Sequence, residues 1–393
     1  MRLLGFTFIW LLVFFIPCES VVMIPGVGTV SRLVGLLSFT ICLIATIYLN
    51  RIRTLLAVHW VLFAFLLWSL LTYAWSINPE QSLVRCWTYG QLMVMVWLLW
   101  QWTPDVLSIT RLFMAYVAGA YVSIGFTFYN FLANKQVVWQ RYAATGFDPN
   151  ELGLILALGI PISWYVSLKA EKYWQIIAFR FYFIAAALAI VLTASRMAVI
   201  TAVLASLFVI FTFTHLTNKS KVFLSLACVC LLPFVAAKIP VTSFERIASI
   251  GKEVSSGTLN NRKIIWNAGF AALSENLFMG TGIGTFPTAV KPILKEAVVA
   301  HNLYLTLAVE QGVIGFMIFC SFLFCVIKSA FAMPQLERFL WLTMLGVWGV
   351  GVATLTWDGR KTTWLMLSLC IASAQLLAAM NKGADCQTRD QNA

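Results

Sequence analysis

The stretch Ala300-His301-Asn302-Leu303-Tyr304-Leu305, running on to Glu310-Gln311-Gly312-Val313-Ile314-Gly315, marks where a long polar loop meets an apolar run over 302–329. A run of that length exceeds the roughly 20 residues a helix needs to cross about 30 Å of hydrocarbon. Further apolar runs lie near 4–18, 33–49, 55–75, 88–102, 113–133, 152–168, 179–195, 197–214, 222–240, 339–357 and 363–380. The pattern predicts an all-α polytopic membrane protein with about twelve transmembrane helices. Composition agrees: the 393 residues are 61% hydrophobic and only 11% charged, whereas soluble domains run near a quarter charged. Residues 3–17 could pass for a secretory leader. Pro17-Cys18-Glu19-Ser20 offers no small-x-small cleavage site, however, so this stretch is kept as the first span.

On this reading residues 1–240 carry the first nine spans and 241–301 form one large periplasmic loop. Residues 302–380 carry the last three spans, and the polar tail over 381–393 is expected to be cytoplasmic and disordered. Orientation follows from lysine and arginine. With the amino terminus inside, more of those in the short segments fall on the cytoplasmic side, as the positive-inside rule requires. Arg141, Arg196, Arg262, His301, Arg360 and Lys361 then come out on the outer side near helix ends. A basic residue held outside against the bias needs a partner, either a lipid head group or a phosphate to be bound. The net charge of +12 is read as inner-leaflet anchoring plus an outer phosphate site, not as a nucleic-acid footprint. The nine cysteines are scattered without a Cys-x-x-Cys pair and read as small apolar residues.

Within the loop, Ile265, Phe270 and Leu273 have near-helical spacing, and Asn260 or Asn261 is placed to cap the start. An amphipathic helix near the outer surface is expected, with Arg262 in its first turn. Gly280-Thr281-Gly282-Ile283-Gly284-Thr285-Phe286-Pro287 follows as an irregular turn. No strand precedes these glycines and no Gly-Lys-Ser/Thr follows, so a dinucleotide fold or P-loop is not supported. Close backbone approach is the expected role of Gly282 and Gly284.

Three other stretches carry candidate chemistry. Asp148 as cap, Pro149 at the first helical position and Glu151 in the first turn describe a helix start, which leaves Arg141 upstream as a binding candidate. Thr193-Ala194-Ser195-Arg196 separates two spans with almost no loop. Its guanidinium could snorkel to a lipid phosphate or hold a diphosphate through its fork of donors. His301, beside clustered positive charge, is a proton acceptor suited to a reaction at an anionic leaving group. A lone histidine at a helix start is otherwise a cap. Counted as helix positions, Tyr304 and Leu305 share its face, while Glu310 lies deeper on the opposite face and should have a partner in the bundle. Gly312 and Gly315 are expected to let another helix close. No Asp-x-Asp occurs and the three histidines are dispersed, so no metal site and no cofactor is expected.

Asp148-Pro149-Asn150, Ser195-Arg196, Asn261-Arg262 with Trp266, Gly280-x-Gly282-x-Gly284-x-Phe286, and His301-Asn302-x-x-Leu305 with Glu310-x-Gly312-x-x-Gly315 together resemble the O-antigen ligase and O-antigen polymerase superfamily of bacterial envelope glycosyltransferases. The likeness is densest over about 140–320. It implies a GT-C-like helical bundle in the bacterial inner membrane, acting at the periplasmic face without metal or nucleotide sugar. The reaction implied is inverting transfer of a glycan from undecaprenyl diphosphate to an acceptor hydroxyl. That acceptor is lipid A core for a ligase, or another lipid-linked glycan for a polymerase of O-antigen or exopolysaccharide units. By the same resemblance His301 matches the proposed base, and Arg196 and Arg262 match the diphosphate arginines. Arg141 and Arg360 are further candidates, with Tyr304, Glu310, Gly282 and Gly284 supporting. Besides donor and acceptor, membrane lipids are the expected partners. A transporter or glycan flippase is the reading of another class; it would predict ionisable residues at mid-membrane depth and repeated halves. Here Glu310 is the main buried charge and no repeat is evident.

Overall fold

A computed structural model describes residues 1–21, 23–24, 26, 28–50, 52–138, 140–214, 221, 245, 248–249 and 262–391, with side chains to residue 380. The expected ninth span over 222–240, His215, and the caps Asn260 and Asn261 lie outside the described residues. Each of the other eleven expected spans contains a helix. In chain order the helices are α1 (Arg2–Phe15), α2 (Val30–Leu49), α3 (Ala57–Leu71), α4 (Pro79–Trp102), α5 (Val106–Leu132), α6 (Pro149–Lys169), α7 (Tyr173–Leu192) and α8 (Arg196–Phe213). They continue with α9 (Arg262–Glu275), α10 (Phe286–Leu294), α11 (Leu303–Phe331), α12 (Gln335–Val352) and α13 (Lys361–Gln391). A two-stranded ribbon pairs β1 (Met23–Ile24) with β2 (Gly28–Thr29). Among the described residues eight helices are long and apolar enough to cross a membrane: α2, α3 with its 3-10 extension to Trp75, α5, α6, α7, α8, α11 and α13 to Met380. The protein is an all-α polytopic membrane protein.

Several ends differ from expectation. α4 starts at Pro79, nine residues before the apolar run, because Asn78 caps it and Pro79 fits the first helical position. Helix α13 continues through the polar tail to Gln391, where disorder was expected. The run 302–329 is not one straight span: Gly312 (φ 65°, ψ −177°) breaks α11 inside its length.

The chain packs as two units. The first comprises Met1–Ile41, Leu107–Gly251 and Gln335–Gly351; the second comprises Cys42–Val106, Lys252–Pro334 and Val352–Ala393. In the first, α6 is the central helix, 89% of its apolar window being buried, where the same measure for α8 is 33%. Small residues let its neighbours approach. A Cβ at Gly159 would strike the Tyr182 hydroxyl on α7, and one at Gly153 would strike Ala198 on α8. That is how helices associate where lipid removes the hydrophobic drive. In the second unit α3 packs on α11 through Phe65 and Phe319, and Trp364 of α13 stacks against Phe322 of α11. The loop helices α9 and α10 close a smaller core with the first half of α11, built from Ala268, Ala272, Phe286, Val290, Ala300, Leu305 and Val309.

Candidate functional site

In the first unit, local capping shapes the site. Asp148 accepts hydrogen bonds from the Asn150 and Glu151 N–H groups at 2.8 and 3.3 Å, so the expected helix start is present. Ser195 caps α8 by accepting from the Ala198 N–H at 3.3 Å. Arg141 is buried. Its Nε donates to the Thr193 carbonyl at 2.9 Å and its Nη2 to Asn150 Oδ1 at 2.8 Å. It thus pins the start of α6 to the α7–α8 turn. Arg196, first residue of α8, is half-buried and donates from Nη2 to Ser249 Oγ at 2.8 Å.

In the second unit, contacts distant in sequence do the work. His301 stands just before α11, with Asn302 as the cap that accepts from the Leu305 N–H at 3.1 Å. Its own φ is +47°, in the left-handed region. His301 is therefore not a helix position, and the expectation that Tyr304 and Leu305 share its face does not hold. Its backbone is held on the other side too. The Trp266 indole N–H of α9 donates to the Ala300 carbonyl at 2.9 Å. Arg262 and Trp266 are four residues apart, so they lie one above the other on α9. Trp266 thus ties α9 to the His301 junction, one helical turn on from Arg262. The inward face of α9 is Ile265, Ala268, Gly269 and Ala272. Phe270 was expected on that face and is exposed instead, because Gly269 lies where Leu305 and the Phe286 ring press closest.

Glu310 has the partner its burial demands, and that partner is backbone. Its carboxylate accepts from the Gly284 N–H at 2.7 Å and the Phe286 N–H at 3.1 Å. The Gly282 N–H meets the Glu310 carbonyl at 2.9 Å. Positive φ at Gly280, Gly282 and Gly284 (71°, 105°, 79°) turns the Gly284 and Phe286 N–H groups onto the one carboxylate, forming an anion-binding nest. The break at Gly312 frees further groups, which find partners. The Val313 N–H donates to the Leu277 carbonyl at 2.8 Å, and the Trp68 indole donates to the Gln311 carbonyl at 3.0 Å. Irregular backbone buried in a protein survives only when satisfied in this way. Gly315 accepts the Trp68 ring of α3, the close helix approach that was expected.

Sequence reasoning missed an ion pair beside this loop. Arg85 Nη1 lies 3.5 Å from Asp358 Oδ2, and the Tyr89 hydroxyl donates to the same oxygen at 3.0 Å. Asp358 beside it raises the Arg85 pKa above its ordinary value, outweighing burial. Asp358 is 2% exposed and Arg85 30%, so the guanidinium is fixed on its inner side and open outward. Gly284 packs on the Arg85 stem, and a Cβ at Gly359 would sit 2.5 Å from Arg85 Nη1. Arg360, next in the chain, is exposed. The available signal was Asp358 itself, a carboxylate in the short Trp357–Lys361 break between apolar runs. Among the described residues no three or more His, Cys, Asp or Glu side chains cluster to hold a metal ion.

A model of the family described as O-antigen ligase matches residues 181–320. Over that stretch the chain is similar to the O-antigen ligase superfamily. No curated protein matches it. The O-antigen ligase match takes in Arg196, Arg262, the glycine nest, His301 and Glu310, and leaves out Arg141, Asp148, Arg85, Asp358 and Arg360. The match supports a glycosyltransferase of O-antigen ligase or polymerase type, with glycan and lipid-linked substrates, in a multi-pass bacterial membrane protein.

Proposed function

We propose that the protein is an inverting glycosyltransferase of the O-antigen ligase type, moving a glycan from undecaprenyl diphosphate to a hydroxyl of lipid A core at the periplasmic face of the inner membrane. The observation that carries the reading is the Trp266–Ala300 hydrogen bond. It fixes the His301 backbone to the helix whose first residue is Arg262. An acceptor hydroxyl attacks the anomeric carbon; its proton passes to His301, and the lipid diphosphate leaves with growing negative charge. Arg262, with Arg196, Arg141 and Arg360 as further diphosphate contacts, stabilises that charge more in the transition state than in the ground state. The imidazole, with a reference pKa near 6.5, takes the proton when neighbouring positive charge keeps it neutral. Tyr304, Glu310, Gly282 and Gly284 support the geometry, and no metal or other cofactor takes part.

The test is reconstitution in lipid with a lipid-diphosphate glycan and purified lipid A core. His301→Ala should insert normally and transfer nothing, whereas Arg262→Ala and Arg196→Ala should raise the donor concentration needed. Normal transfer by the His301 variant would overturn its role as base. Polymerisation of the donor glycan, with lipid A core left untouched, would move the assignment to polymerase. Movement of the intact donor across the bilayer without transfer would make it a flippase.

A further inference from the structure

Between α9 and the glycine nest the chain turns through Leu277-Phe278-Met279, whose side chains are 44, 66 and 46% exposed. Three consecutive large apolar residues facing outward on a polar loop would be a liability in water. Their backbone is not loose. The Leu277 and Phe278 carbonyls accept from the Val313 and Ile314 N–H groups at 2.8 and 3.4 Å, and the Met279 carbonyl accepts from the Trp75 indole at 3.2 Å. The turn is thereby fastened to α11 where Gly312 breaks it.

Beyond the break, Ile314, Met317, Phe324 and Phe331 are exposed at helical spacing, the outward stripe of a membrane-spanning helix. Residues 313–331 rise about 28 Å at 1.5 Å each, close to the roughly 30 Å of a hydrocarbon core. The Gly312 break therefore lies one core thickness from the far end of α11, at the level of a bilayer surface. Tyr73 and Trp75 stand at the same end of α3, Trp75 with its ring 5.7 Å from Trp68. Aromatic residues of this kind mark the membrane interface.

The geometry points to Leu277-Phe278-Met279 as a membrane-inserted finger of the large loop, its side chains among the acyl chains of outer-leaflet lipids and continuous with the lipid-facing stripe of α11. The finger anchors the loop at a set depth. Gly280, where the nest around Glu310 begins, follows it directly, and the α11 segment leading back to His301 ends at the break it caps. This inference does not depend on which reaction the protein performs.

The whole chain in nanodiscs of phosphatidylethanolamine and phosphatidylglycerol is photolabelled with a lipid-soluble diazirine. A parallel sample receives water-borne hydroxyl radicals, with a methionine peptide added as reference, and both are read by mass spectrometry. The expected result is carbene label on 277–279 as on Met317 and Phe324, with Met279 oxidised as slowly as Met317. Oxidation of Met279 as fast as the free peptide would overturn the inference. So would protection of 277–279 from both reagents, which would indicate cover by a second copy of the chain.

Discussion

The Thr193–Arg196 turn and the His301 junction both present a basic residue at a helix start, but different physics builds them. The helix caps of the first come from neighbours in the chain, although Arg141 also ties the turn to the start of α6. Ser195 caps α8 three residues on, and Asp148 does the same for α6. The second rests on residues far apart. Trp266 reaches Ala300, Glu310 reaches Gly284 and Phe286, and Arg85 reaches Asp358. A cap needs only the local chain to curl, whereas a nest around a carboxylate needs two segments already folded and facing each other. Substitutions in the second region should therefore disturb more of the molecule than those in the first.

The largest structural effect is expected from Glu310→Ala. Two buried N–H groups would lose their acceptor, and each buried donor left unsatisfied costs about 1–3 kcal/mol. The glycine nest should open, seen as faster proteolysis within 280–286 and a loss of stability of about 2–6 kcal/mol. A stable variant with an intact loop would mean the nest holds itself without the carboxylate. Next is Gly312→Ala. A Cβ there meets the Phe278 carbonyl at a φ of 65°, and strained backbone of this kind costs on the order of 1–3 kcal/mol. Reduced yield in lipid and a lower melting temperature are expected. An unchanged melting temperature would show that the break can relax to continuous helix.

Trp266→Phe keeps the ring and removes one indole hydrogen bond, about 1 kcal/mol. Global stability should barely move while glycan transfer slows, as His301 loses one of its two clamps. Equal loss of stability and transfer would instead make Trp266 a packing residue. The smallest effect is expected from Ser195→Ala, about 1 kcal/mol from a lost cap, visible in the melting temperature and absent from donor affinity. A larger effect on donor use than on melting would tie the turn to the substrate more closely than the comparison allows.

Legibility in the sequence follows the same division. The apolar runs located every described spanning helix, because hydrocarbon sets the length and polarity of anything that crosses it. Asp148 as a cap and the amphipathic helix beginning at Arg262 were also readable, since caps and periodicity are local. The error at Phe270 arose because periodicity alone ignores Gly269, whose lack of a side chain decides which face meets Leu305 and Phe286. The error at Tyr304 arose because His301 was counted as helix, when its positive φ takes it out of register. Arg85 and Asp358 were invisible as a pair, being 273 positions apart in the numbering of the chain.

The amino-acid sequence by itself determined that the protein is a helical membrane bundle, and where most of its described helices begin. It did so because the bilayer and the backbone impose rules on each segment separately. Only the tertiary structure decided that Glu310 is held by glycine N–H groups, that α11 breaks at Gly312, and that Trp266 steadies the residue before His301. Each of these satisfies a buried polar group with a partner from another segment, and no single segment carries the identity of that partner.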